Sequence, residues 1–318
     1  MTILRLLALP ALALLTATAC ERAPSARDEP LVVATFYPLY EFSRQVAGDR
    51  ATVVALVPAG VEPHQWEPSP QDLRQIQRAR AFVYNGAGLE PWAEKVWRDG
   101  AAPGAVAVRT TEGLALMAPG EPGRGREARP GGPRPGDREG RQAPLDPHVW
   151  LDPLLAQSQV ESIRAGLARA DPANAAAYAD NARAFTARLA ALHDAFERGL
   201  ETCARRDLVV SHAAFGYLAR RYRLAMVPVM GVAPESEPTP AELAAIVRFA
   251  RRHQVKYIFF ETLVSGKLAE TLAREAGAQT LVLNPIEGLT REEEAAGKDY
   301  VALMEDNLKN LRTALGCR

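Results

Sequence analysis

Short apolar runs recur along the chain, and the stretches between most of them carry apolar residues at every third or fourth position. The runs read as buried strands over 31–35, 52–57, 81–84, 105–108, 207–211, 226–229, 257–260 and 280–283. The periodic stretches read as helices over 40–47, 71–79, 91–98, 212–221, 240–253 and 265–276, with a last helix inside 292–315. Ser69 before Pro70 places a cap ahead of a proline at the first helical position, and Thr239-Pro240-Ala241-Glu242 is a capping-box pattern. Strands that alternate with helices predict parallel sheets.

Two segments break the alternation. Helix resumes at Pro153, pauses at Ala170-Asp171-Pro172, then runs without proline to Cys203, with Tyr178, Phe185, Leu189, Leu192, Phe196 and Leu200 on one face. Capped by Asp171, that second stretch would be about 45–50 Å long at 1.5 Å per residue, long enough to join two lobes as a strut. Pro119 to Pro144 holds Pro, Gly, Arg and acidic residues, with no aromatic, Val, Ile or Met. It has too little apolar surface to order itself and is expected to be a disordered loop. The expected fold class is α/β, two (βα) lobes with parallel sheets joined by a long rigid helix. The N-terminal lobe takes 31–152, the helical segment 153–203 and the C-terminal lobe 204–318.

Ahead of residue 31 the pattern is that of an export signal. Arg5 precedes the apolar run Leu6–Leu15, which is too short to span a bilayer, and small residues lead to Cys20. This predicts a signal peptide over 1–19, lipidation at Cys20 and a polar tether over 20–30, hence a protein anchored outside the cytoplasmic membrane or in the periplasm. Export would leave Cys203 and Cys317 in an oxidising compartment, where they are expected to pair. The 38 Lys and Arg balance the 38 Asp and Glu. A nucleic-acid partner would call for a basic stripe, which the sequence lacks outside the 119–144 loop. A monomer is expected.

The chemistry lies in five histidines, three of them in short loop segments: VEPHQWEP, LDPHVWLDP and VVSHAAFGY. Ligands of open α/β sheets bind outside the carboxyl ends of the strands. His64, His148 and His212, each read as lying in a loop after a strand, are therefore placed to share one site with Glu287, which follows the strand 280–283. Gly288 is expected to allow the turn that brings Glu287 inward. Glu261, at the end of 257–260, is the rival fourth donor, or else an acceptor from an imidazole N–H. Glu62 and Asp146 are further candidates for that supporting role. His193 and His253 lie in or at the end of helices among charged residues and are expected to be solvated. Three imidazoles and one carboxylate suit tetrahedral Zn²⁺, whereas Mn²⁺ favours more oxygen donors.

The segments GVEPHQWEPSPQDL, DPHVWLDP, SHAAFGYLARRY, GVAPESEPTPAEL and LNPIEGLTREEEAAGKDYVALMEDNL resemble the metal-binding solute-binding lipoproteins of ABC importers, most closely the zinc-uptake branch. The resemblance covers nearly all the chain after residue 30 except the 119–144 loop. It implies two lobes about a rigid helix, with one metal in the cleft held by His64, His148, His212 and Glu287. It also implies partners, a membrane permease and its cytoplasmic ATPase, and a receptor rather than an enzyme. Zinc-branch members often carry a histidine-rich loop between the first two ligand histidines. The 119–144 loop has no histidine, so secondary zinc capture there is not expected. The third motif histidine favours zinc, since manganese-selective members often carry glutamate at that place. A manganese receptor, a secreted zinc hydrolase with Glu261 as general base, and a haem or metal-chelate receptor are the competing readings. Release is expected through local loop movement rather than hinge closure.

Overall fold

Alternate residues of each strand face opposite sides of a sheet, and in this chain the two sides feed different cores. The structure, a computed structural model, describes residues 29–100, 102–118, 145–234 and 238–318. The expected signal segment, the lipidation site Cys20, most of the tether and the 119–144 loop lie outside the described residues. The first half orders β1 (Leu31–Ala34), α1 (Tyr37–Ala47), β2 (Thr52–Ala55), α2 (Pro70–Arg78), β3 (Ala81–Tyr84), α3 (Pro91–Arg98) and β4 (Val106–Arg109). Two helices follow, α4 (Pro153–Ala170) and α5 (Ala175–Leu200). The second half orders β5 (Asp207–Val210), α6 (Gly216–Arg221), β6 (Ala225–Pro228), α7 (Pro240–Arg252), β7 (Tyr257–Phe260), α8 (Lys267–Ala276), β8 (Gln279–Val282), α9 (Arg291–Ala295) and α10 (Tyr300–Leu315).

The two sheets are wholly parallel and wound alike, in the orders β2-β1-β3-β4 and β6-β5-β7-β8. Each therefore reverses its winding beside its first strand, where an open sheet leaves a crevice at the carboxyl ends. Val32, Ala34, Ala81, Val83, Leu208 and Val210 join one core that runs through α1, α4, α5, α6 and α10 across both halves. The opposite faces are closed separately. Val33 and Phe82 pack with Ile76 and Ala93 of α2 and α3. Val209 and Ile258 pack with α7 and α8. The shared core fixes the two crevices relative to each other, which places the site.

Several local expectations are corrected. Pro172–Asn174 form a 3-10 turn, and the 26 residues of α5 give a helix of about 39 Å, shorter than expected. Asp171 does not cap it: its carboxylate accepts from Asn174 Nδ2 (2.7 Å) and the Tyr178 hydroxyl (2.8 Å). The helix is no bare strut, since it packs on α1, α4 and α10. Residues 213–215 make a 3-10 turn before α6. The terminal helix is two helices, parted near Gly297 (φ 66°). Cys203, just past α5, is disulfide-bonded to Cys317. Among the described residues, no helix is long and apolar enough to cross a membrane.

Candidate metal centre

His212 follows β5 by two residues, so the strand end carries it directly into the C-terminal crevice. Glu287 arrives by a different device. Ile286 sits in the left-handed region (φ 56°), a costly place for a β-branched side chain, and it is Ile286 rather than Gly288 that makes the turn. The Ile286 N–H donates to Asn284 Oδ1 (2.7 Å), and Asn284 is held in turn by Asn307. Gly288 serves close approach: a Cβ there would lie 3.1 Å from Leu263 Cδ1 and 3.5 Å from the Val61 carbonyl oxygen. The Gly60 N–H donates to the Leu289 carbonyl (2.7 Å), which ties the His64 loop to the Glu287 loop. His148 does not directly follow a strand. It precedes the 3-10 turn Val149–Leu151, and the Trp150 indole N–H donates to the Pro285 carbonyl (2.7 Å). That bond joins the segments bearing His148 and Glu287.

These loops bring four donors from both halves of the chain together. Glu287 Oε1 lies 3.1 Å from His148 Nε2, 3.3 Å from His64 Nε2 and 3.4 Å from His212 Nε2, and the Nε2 atoms of His148 and His212 are 3.4 Å apart. All four donor atoms lie within 4.8 Å of one another. A tetrahedron with metal–ligand bonds of about 2.0–2.1 Å has edges of about 3.3–3.4 Å. Four of the six separations match those edges closely. His148 and His212 are fully buried, Glu287 is 2 % exposed, and only the His64 side chain, at 8 %, reaches toward solvent.

The other ring nitrogens of His148 and His212 are engaged by carboxylates. His148 Nδ1 lies 2.8 Å from Asp146 Oδ1, and His212 Nδ1 lies 2.6 Å from Glu261 Oε1, which also accepts from the Ser211 hydroxyl. With Nδ1–H donating, Nε2 is left free as a metal donor. Glu261 is thus an acceptor behind His212, and Glu287, not Glu261, stands among the converging donors. Glu62 accepts from the main-chain N–H of His64 (3.0 Å). His193 Nδ1 lies 3.1 Å from the Tyr222 hydroxyl, and His253 stacks on Phe249 with Nδ1 3.3 Å from Asp207. Both are half-buried, and neither joins the four donors.

Burial alone would push the His148 and His212 imidazoles down, but the carboxylates around them outweigh it. Asp146 and Glu287 raise His148, and Glu261 and Glu287 raise His212 well above its ordinary value. Burial opposes ionisation of Glu287 too, yet the three imidazoles hold it well below the usual carboxylate range. In the metal-free site these shifts favour protons on the imidazoles over a proton on Glu287. A raised histidine must lose its proton to ligate, so metal binding should release protons and weaken as pH falls. Zinc titrations by calorimetry at pH 7 in buffers of different ionisation enthalpy should give enthalpies that rise or fall with the buffer. The sign of the slope should correspond to protons released on binding. A slope of zero would mean the imidazoles are already neutral.

With this geometry, the comparisons decide the family. The sequence model described as "ZnuA: Zinc-uptake complex component A periplasmic" matches residues 32–314. The chain belongs to this family. The chain is 40 % identical over 293 residues to the high-affinity zinc uptake system protein ZnuA of Bacillus subtilis (strain 168), covering 92 % of this chain and 90 % of that protein. It is 39 % identical over 306 residues to the zinc-binding lipoprotein AdcA of Streptococcus pneumoniae serotype 4, where 96 % of this chain spans 60 % of the relative's length. The crystal structure of the Zn(II)-bound ZnuA-like domain of Streptococcus pneumoniae AdcA superposes with a TM-score of 0.75 at 37 % identity, covering 90 % of this chain and 99 % of that one. The fold class read from the sequence is that of these ZnuA-like structures.

Proposed function

We propose that this chain is the extracytoplasmic zinc receptor of an ABC importer, with His64, His148, His212 and Glu287 as the ligands of one transported Zn²⁺. The observation that carries the reading is the convergence of three imidazole nitrogens and one carboxylate oxygen within 4.8 Å of one another, with four of the six separations close to the edges of a zinc tetrahedron. Three neutral imidazoles and one carboxylate leave a divalent ion a net charge near +1, matched to zinc more than to the oxygen-preferring Mn²⁺. The zinc-binding names of the relatives point the same way. The receptor hands its cargo to a membrane permease driven by a cytoplasmic ATPase, and lipid on Cys20 holds it at the membrane surface. Four protein donors favour capture over catalysis, since a hydrolytic zinc usually keeps one position for water. Glu261, the general base a hydrolase would need, is engaged by His212 and Ser211.

The deciding experiment is a competition titration of metal-stripped protein with Zn²⁺ and Mn²⁺ against a chelator of known affinity. One tight zinc site per chain, with manganese weaker by at least 100-fold, is the expected outcome, a difference of about 2.8 kcal/mol. Preference for manganese would keep the receptor and reverse the cargo. No tight site for either ion would remove the reading.

A further inference from the structure

Behind the His148 loop lies a buried polar cluster that supplies none of the four donors. Asn85 follows β3, Thr35 follows β1, Thr110 and Thr111 follow β4, and Gln159 projects from α4; with Glu90, all are at most 3 % exposed. Asn85 is the hub. Its N–H donates to Glu90 Oε1 (3.0 Å), and its carbonyl accepts from the Thr111 hydroxyl (2.5 Å). Its Oδ1 accepts from Gln159 Nε2 (3.0 Å), which also donates to Thr110 Oγ1 (2.9 Å). Its Nδ2 donates to the Gly86 carbonyl (3.3 Å) and to the Pro147 carbonyl (3.0 Å). Oδ1 and Nδ2 are distinguished by these partners, so the amide has one satisfied orientation.

The Pro147 carbonyl belongs to the peptide unit that leads into His148. The N–H of that same unit donates to Asp146 Oδ1 (3.0 Å). The peptide plane is therefore held at both polar ends: Asp146 takes its N–H, and its carbonyl is shared by Asn85 and the Val149 N–H (2.8 Å), of which Asn85 alone reaches it from another part of the fold. His212 takes its direction from the end of a strand. Among the described residues His148 has no strand directly ahead of it, and Asn85 supplies the equivalent support from the end of β3.

We propose that Asn85 is a positioning residue for metal selectivity. By fixing the Pro147–His148 peptide plane it holds His148 Nε2 at tetrahedral spacing, and so favours zinc over ions that prefer six donors. This rests on His148 being a zinc ligand. A group that orients a ligand affects metal affinity by about 10–100-fold when removed. A site with a loosened ligand also loses the geometric discrimination against six-coordinate ions.

The test compares Asn85→Asp, Gln159→Met and His148→Ala with the unaltered protein. Asn85→Asp keeps the shape but replaces the donor to Pro147 with an acceptor. Gln159→Met leaves Asn85 intact and removes the partner that orients its amide. Each apo variant is checked by circular dichroism and thermal unfolding, and Zn²⁺ and Mn²⁺ affinities are measured by chelator competition. The visible spectrum of the Co²⁺-loaded protein reports geometry directly. Asn85→Asp should lose about 10–100-fold in zinc affinity while manganese changes much less, and its Co²⁺ bands should weaken as tetrahedral symmetry is lost. Gln159→Met should shift the same readouts in the same direction by less, and it decides the matter if Asn85→Asp does not fold. A folded variant with an unchanged zinc-to-manganese ratio and Co²⁺ spectrum would overturn the proposal. Unaltered zinc binding in His148→Ala would instead overturn the ligand set on which it stands.

Discussion

His212→Ala is expected to lower zinc affinity on the order of 10²–10³-fold. Structural zinc sites of four ligands bind with roughly 10–16 kcal/mol in all, or about 2.5–4 kcal/mol per ligand, and each 1.4 kcal/mol is tenfold. The loss should sit at the upper end because the site cannot repair itself. His212 is fully buried beneath the other donors, and alanine leaves a void that water fills without a fixed direction. The substitution also strips Glu261 and Glu287 of a partner each, in a region where both are at most 3 % exposed. Removing one partner from a buried hydrogen-bonded pair costs about 1–3 kcal/mol, so the apo protein should unfold at lower denaturant as well. Glu287→Ala should weaken zinc by less, since it removes a carboxylate whose burial opposes its charge and leaves all three imidazoles in place. Competition titrations of both variants check the order. Zinc binding in His212→Ala within threefold of the unaltered protein would take His212 out of the ligand set.

The strand–helix alternation was legible because β1, β3 and β5 are short apolar runs and some of the helices, α2 and α7 among them, carry clear caps. Thr239 forms the capping box its sequence implies, and Ser69 caps α2 as its sequence implies, with Asp72 closing a box. The candidate donors were legible for a related reason: a polar residue just past a buried strand has only the crevice to enter, as His212 does. What stayed hidden depends on contacts between distant segments. The left-handed Ile286 is unreadable, because nothing in an isoleucine announces a positive φ; Asn284, two residues earlier, was the only local hint. The Trp150–Pro285 bond spans the two halves and leaves no trace in either segment. Gln159 did leave one. It falls on the buried stripe of α4 with Ala156, Val160 and Ile163, and a glutamine among apolar residues needs a buried partner. The length of α5 was overread because Asp171 is an ordinary N-cap residue in sequence, while in the fold Asn174 and Tyr178 take its carboxylate.

Removing the disulfide, as Cys203→Ala with Cys317→Ala, is expected to destabilise the apo protein by roughly 4–5 kcal/mol and leave zinc affinity unchanged. The bridge closes a loop of 114 residues, and in the chain-entropy account a loop of that size removes about 4.8 kcal/mol of freedom from the unfolded chain. The native tail gives little of this back when the bond is cut. It is already held by the Arg205 N–H on the Leu315 carbonyl (3.0 Å) and the Arg318 N–H on the Thr202 carbonyl (3.1 Å), so the folded state keeps its order while the unfolded state expands. The metal site should not respond, for a topological reason. Cys203 lies ahead of β5, at the amino ends of the C-terminal strands, whereas His212 leaves the carboxyl end of the same strand. Denaturant unfolding of metal-free double variant and unaltered protein measures the first claim, and chelator competition the second. A stability loss under 1 kcal/mol would show that the unfolded chain keeps the two ends together without the bond. A tenfold loss of zinc affinity would show that the tail supports the C-terminal crevice through α10, which carries Asn307 beneath the Glu287 turn.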